Sequence, residues 1–251
     1  MEIHDFNSRD RRCFVLTSMT VDLILSQTQL QQLWHKHWPE RTSSAEPKQL
    51  AYQRYESLFL SLCRDSRIHQ LAARLQSLSP ETYSHSLDVF LLGSVLSDHL
   101  QMETDELAAG FLLHDVGKIC IPSSILQKPG ALTREEWEVV QDHPMQGYHL
   151  LQAHGLTEPL THLALYHHER EDQTGYPFGL AAGELPASLR LLSVIDVYSA
   201  LTLQRSYRDA MTSGQALYHL HQYTEGLDPV YIQALTRILL PQDSDPETDR
   251  F

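Results

Sequence analysis

The residues with the most chemistry in this chain stand at Leu112-Leu113-His114-Asp115-Val116-Gly117-Lys118, closing an apolar run from Leu107 to Leu113. A helix that is apolar all round is a buried helix. An imidazole, a carboxylate and an ammonium at its end are costly unless something binds them. A divalent metal ion would hold the first two, and a phosphate the third. The dipeptide by itself proves little. With 15 histidines and 16 aspartates in 251 residues, about one His-Asp pair arises by chance, and His4-Asp5 is an example.

Placement carries more weight. Glu81 and His85 lie one turn apart, on a helix face continued by Leu92, Val95 and Leu96. A lone inward histidine is more often a hydrogen-bonded core residue than a ligand, but a carboxylate on the same stripe needs a partner. His143 precedes Pro144, so it is pushed out of helical geometry and sits at a helix-to-helix corner. His167 and His168 are neighbours. On a helix they would project about 100° apart, so one ion rarely takes both, whereas two ions side by side could. A surface pair is the plain alternative. Asp196 lies in the stripe Leu189, Leu192, Asp196, Ser199, Leu203, where an aspartate is paired, catalytic or a metal ligand. Arg205-Ser206-Tyr207-Arg208 forms a basic, turn-like patch.

The elements that must position these groups read as helices. Ser79-Pro80 is a helix start, with serine as cap and proline in the first turn. Thr133 and Glu136 make a capping box, and Gly175-Tyr176-Pro177 belongs to a loop. Residues 1–12 are polar and read as mobile, while Cys13 to Met19 is a short strand or the start of a helix. Val21 to Trp38 has a loosely helical spacing, Thr42 to Pro47 reads as a linker, and Lys48 to Leu75 is one long amphipathic helix or two. No alternating strand pattern occurs from residue 76 onward, so the expected fold is all-α. The expected division is an N-terminal, mainly helical accessory region (1–76) that packs on the main domain or mediates a homodimer, the domain bearing the ionisable residues (77–240), and an acidic disordered tail (241–251).

Composition removes several classes. Lys and Arg total 19 against 32 Asp and Glu, a net charge of −13, which repels duplex nucleic acid and anionic membranes. A small phosphate-bearing ligand remains open if metal ions reverse the local field. Cys13, Cys63 and Cys120 form no C-x-x-C pair, which fits a reducing compartment and argues against a thiolate zinc site. With no signal peptide and no run of 18 apolar residues, the expected location is the cytoplasm.

Taken in order, Glu81, His85, His114-Asp115, Lys118, His143, His167-His168 and Asp196 resemble the HD-GYP family, a branch of the HD-domain metal-dependent phosphohydrolases. The resemblance runs from about residue 78 to residue 240. It rests on Leu113 to Ile119 with Ile121-Pro122, Lys128 to Thr133, and His143-Pro144 with Gly147. His167-His168-Glu169-Arg170, Gly175-Tyr176-Pro177, and Asp196-Val197 ahead of Arg205 to Arg208 complete it. It implies an HD-domain helical bundle that hydrolyses cyclic di-GMP, a bacterial second messenger, to linear pGpG and on to GMP. Nitrogen and oxygen ligands without thiolates suit two divalent ions, iron or manganese. His85, His114, Asp115, His143, His167, His168 and Asp196 match the family's ligands, with Asp115 bridging. Glu81 matches an extra ligand of members that hold three ions. Paired ions roughly 3.5–4 Å apart lower the pKa of a bridging water and clamp the attacked phosphate. Lys118 would neutralise charge on the phosphoryl oxygens. Gly175, Tyr176 and Pro177 match a loop that borders the substrate and is linked to docking of diguanylate cyclase domains, although a structural loop is an equally good reading. Arg205 and Arg208 match positions that reach substrate phosphate or guanine, or form salt bridges.

Three positions depart from the family pattern. Gln173 follows Asp172 where glycine is usual, and a side chain there could reshape the loop. Ser199 replaces an aspartate, and Ser206 stands where proline is common. None removes a proposed ligand, so an active phosphodiesterase is expected. The alternatives are a non-catalytic binding or adaptor module of the same fold and a phosphohydrolase for another nucleotide, such as cyclic GMP-AMP.

Overall fold

The computed structural model describes the backbone of residues 8–39, 45–204, 209–222 and 226–240, with side chains for 23–39 and from 49 onward. Among these residues the secondary structure is helical, with no strand. The order is α1 (Ser8–His37), α2 (Ala45–Leu62), α3 (Ser66–Leu78), α4 (Pro80–His99) and α5 (Thr104–Leu113). A 3-10 turn (Val116–Cys120) leads to α6 (Ser123–Leu126), α7 (Arg134–Gln141), α8 (His143–Ala153) and α9 (Glu158–Tyr166). After a long loop come α10 (Ala187–Thr202), α11 (Ser213–Gln222) and α12 (Pro229–Leu239). The all-α expectation holds.

Helix α4 is the axis of the bundle. Leu87, Val89, Phe90, Leu91, Leu92 and Leu96 are all fully buried, covering its whole circumference, and α1, α2, α3, α5, α10 and α12 pack around it. Its start is the one the sequence signals: Ser79 Oγ accepts from the Thr82 N–H at 3.2 Å, and Pro80 opens the first turn. The Thr133–Glu136 capping box of α7 forms as expected.

The N-terminal part differs from expectation in detail. Cys13 to Met19 is helical, and residues 8–12, read as mobile, are the first turns of the same helix. Residues 1–7 lie outside the described residues. Ala45-Glu46-Pro47, read as linker, opens α2, since proline is tolerated in a first turn. The stretch from Lys48 to Leu75 is two helices, because Asp65 caps α3 by accepting from the Arg67 N–H at 2.9 Å. The acidic tail, 241–251, lies outside the described residues. The apolar core runs unbroken from Leu30 of α1 to Leu239 of α12. Ser26 and Tyr83 (2.8 Å) and the bidentate Arg54–Asp98 pair (2.6 and 2.9 Å) tie α1 and α2 to α4.

Candidate metal centre

Helix ends build this site. His114 is the first residue past α5, His143 follows the end of α7 by two, and His167 is the first past α9. The last carbonyls of a helix have no partner within it, and each of these histidines supplies one. The Nδ1–H groups donate to the carbonyls of Phe111 (2.9 Å), Val140 (2.7 Å) and Ala164 (2.8 Å), each three residues back. Since a carbonyl can only accept, each Nδ1 carries a proton and the lone pair of the neutral ring sits at Nε2. Helix C-termini also carry partial negative charge, which favours a cation nearby.

Asp115 opens the 3-10 turn beside His114, and Gly117 presses that turn onto α8. A Cβ on Gly117 would strike the carbonyl oxygen of His143, so only glycine lets Asp115 approach His143. His85 reaches in from the middle of α4 and Asp196 from α10, both buried.

The side chains gather in two groups: Asp115, His143, His167 and His168, and His85, His114 and Asp196. Within each, one ligand atom per residue lies within 4.8 Å of every other. Asp115 faces both. Its Oδ1 is 3.2 Å from His143 Nε2 and 3.7 Å from His167 Nε2, while its Oδ2 is 3.6 Å from His114 Nε2 and 3.9 Å from His85 Nε2. Asp196 repeats the arrangement, with Oδ1 2.9 Å from His85 Nε2 and 3.7 Å from His114 Nε2, and Oδ2 3.8 Å from His168 Nδ1. The expectation that adjacent histidines would part does not hold. Helix α9 stops at Tyr166, and past its end the rings of His167 and His168 lie 4.1 Å apart in one group.

The charge states suit a cation. Burial opposes the charge on Asp115, but Lys118 and His114 outweigh it and hold the carboxyl well below its usual range. Asp196 is held down likewise, with His114 and His85 outweighing burial. Burial pushes His167 down to about 4 and His168 well below its usual value, which keeps both neutral near pH 7. For His114, Asp115 and Asp196 overcome burial and raise the value, so the carboxylates demand a positive charge here. Two features mark where it belongs. His114 Nε2 is buried with no hydrogen-bond partner. His143 Nε2 and His167 Nε2 face each other at 3.2 Å although both Nδ1 atoms hold the protons, an arrangement that a shared cation resolves. The donor set fits divalent metal binding.

Lys118 Nζ pairs with Asp115 Oδ2 at 2.6 Å. The site is closed around His114 and His167 and open on one side, where Asp196, Lys118 and His168 side chains keep 10%, 17% and 19% of their exposure. Tyr176 borders that side, its ring 4.7 Å from that of His168, while Pro177 and Phe178 are exposed. Gly175 packs onto the backbone of Glu169 and Arg170, leaving no room for a Cβ. Gln173 takes the left-handed conformation itself, at φ 65°. Glu81 is half-buried in the first turn of α4 and belongs to neither group. Arg205, Ser206 and Arg208 lie outside the described residues.

Further buried residues shape the surroundings of the site. Buried Glu169 shapes the loop by accepting from the N–H groups of Phe178 (2.7 Å) and Leu180 (2.9 Å). Asp88 and His37, both buried, pair at 2.6 Å behind His85. A carboxylate between Leu87 and Val89 is the same signal that marked Asp196, and would have found Asp88.

Residues 67–230, well over half of the chain, match the HD domain family. The chain belongs to that family, and its motifs and relatives place it in the HD-GYP type. A cyclic di-GMP phosphodiesterase of Pseudomonas aeruginosa is 35% identical over 168 residues, 65% of this chain and 41% of that protein. A 3′3′-cGAMP-specific phosphodiesterase of Vibrio cholerae is 37% identical over 154 residues, 59% of this chain and 29% of that protein. The chain thus spans less than half the length of these relatives. The solved structure of an HDG"Y"P protein from Bdellovibrio bacteriovorus superposes with a TM-score of 0.54 at 20% identity, covering 85% of this chain and 69% of that one. Among the described residues, no helix is long and apolar enough to cross a membrane.

Proposed function

We propose that the chain is a metal-dependent cyclic di-GMP phosphodiesterase, acting in the cytoplasm and yielding linear pGpG, GMP or both. The observation that carries this reading is Asp115, a carboxylate whose two oxygens face two separate histidine groups. His85, His114 and Asp196 would hold one divalent ion, and His143, His167 and His168 the other, with Asp115 shared. Glu81 would add a ligand for a third. An all-nitrogen-and-oxygen donor set favours iron or manganese. When bound, such paired ions activate water and clamp the phosphate under attack.

Lys118, on the open side, would turn to a phosphoryl oxygen and neutralise the charge that builds there. Tyr176, in ring contact with His168, would wall the substrate, with Gly175 and Pro177 holding its loop. Exposed Pro177 and Phe178 would meet a diguanylate cyclase domain, and Arg205 and Arg208 would reach phosphate or guanine. Residues 1–76 are the proposed accessory region, with homodimer contacts among their roles.

The test is turnover of cyclic di-GMP by protein purified without oxygen, with iron and manganese quantified on the same sample. Product with at least two metals per chain, lost in His114→Ala, supports the reading. Full metal occupancy without product moves the search to cyclic GMP-AMP, the second reading, which similarity to the Vibrio cholerae enzyme favours. Neither metal nor product, after reconstitution, leaves the adaptor.

A further inference from the structure

Behind His85 a chain of buried groups leads away from the site. His85 Nδ1 is 2.9 Å from Ser199 Oγ on α10. That hydroxyl is 2.7 Å from Asp88 Oδ2 on α4, and Asp88 Oδ1 is 2.6 Å from His37 Nε2 on α1. Lys36 of α1 adds its ammonium 3.7 Å from Asp88 Oδ2. Ser199 and Asp88 are fully buried, and His85 and His37 nearly so.

The directions of these bonds follow from valence. Ionised Asp88 only accepts, so Ser199 spends its single hydrogen on Asp88. Ser199 Oγ must then accept from His85, and Nδ1 of His85 carries a proton. Its Nε2 is then the atom that faces Asp196 and Asp115. Burial works against the charge on Asp88, but His37 and Lys36 outweigh it and hold the carboxyl well below its usual range.

We propose that Ser199 and Asp88 are positioning residues for His85: they fix its Nδ1 proton and aim Nε2 at the centre, and α1 anchors them through His37 and Lys36. Ser199 stands where the family pattern has an aspartate. In this chain the carboxylate behind His85 comes from α4, with the Ser199 hydroxyl between them. The inference rests on the reading of His85 as a metal ligand.

Two measurements on the full chain test it. Nitrogen-15 NMR of the histidine-labelled wild type should find a proton on His85 Nδ1. Titration with Mn2+ should show two binding steps, and Ser199→Ala should weaken one of them about 10- to 100-fold, the usual effect of losing a ligand's hydrogen-bond partner. The other step should stay in place, which a general loss of structure would not allow. A bare Nδ1 in the wild type overturns the relay. So does an unchanged Mn2+ titration in S199A beside an unchanged melting curve. If S199A unfolds, the NMR result on the wild type decides alone. A wild type that takes up no Mn2+ would instead sink the metal-site reading.

Discussion

His114, His143 and His167 are oriented by the carbonyl three residues behind each of them, whereas His85 depends on a serine 114 residues away. The first three use a fixture that every helix end provides, an unpartnered carbonyl that no side-chain substitution removes. The fourth sits in mid-helix, where all carbonyls are taken, so a side chain must do the work. One half of the centre is therefore set by local backbone, and the other has a corner set by packing among α1, α4 and α10.

Asp115→Ala strikes both halves at once. Metal content measured on the purified variant should fall at both groups, and turnover should drop to background. Asp88→Asn strikes only the packed corner. Neutralising one partner of a buried pair should cost about 3 kcal/mol in a urea melt. Because the folded-state value of Asp88 is depressed, its contribution is present above the ordinary value of 3.8 and is lost as pH falls below it. The stability gap between wild type and variant should therefore shrink in melts below about pH 3.8.

Gly117→Ala perturbs the backbone-set half. Its Cβ would meet the His143 carbonyl oxygen, so a loss of about 1–3 kcal/mol is expected, with weaker Mn2+ binding measured by calorimetry. Gln173→Gly removes a left-handed non-glycine residue and should raise stability by no more than about 1 kcal/mol, read as a small rise in melting temperature. The smallest effect is expected at Val140→Ala, which leaves untouched the carbonyl that orients His143. Mn2+ affinity should change less than twofold, and a larger change would break the distinction between the halves.

Much of this was legible in the sequence because its signals are local. The Ser79 and Thr133 caps, the corner at His143-Pro144 and the apolar flanks of Asp196 each depend on neighbours within one turn. The differences have a local cause too: the 100° spacing of His167 and His168 holds only within a helix, and α9 ends at Tyr166, while the Thr42 to Pro47 stretch reads as linker although proline is tolerated in the first turn of α2. Gln173 adopts the left-handed φ that a glycine there would take freely, which glutamine accepts at modest cost.

By itself the sequence determined the helical fold, the helix ends at His114 and His143 and the set of groups able to bind a cation. Only the tertiary structure decided how they divide into two groups, that Asp115 faces both, and that Asp88 and His37 stand behind His85. The reason is range. Caps and periodicity act over three or four residues, but the pairing of His85 with Ser199 and Asp196 exists only once α4 and α10 have buried their apolar faces against each other.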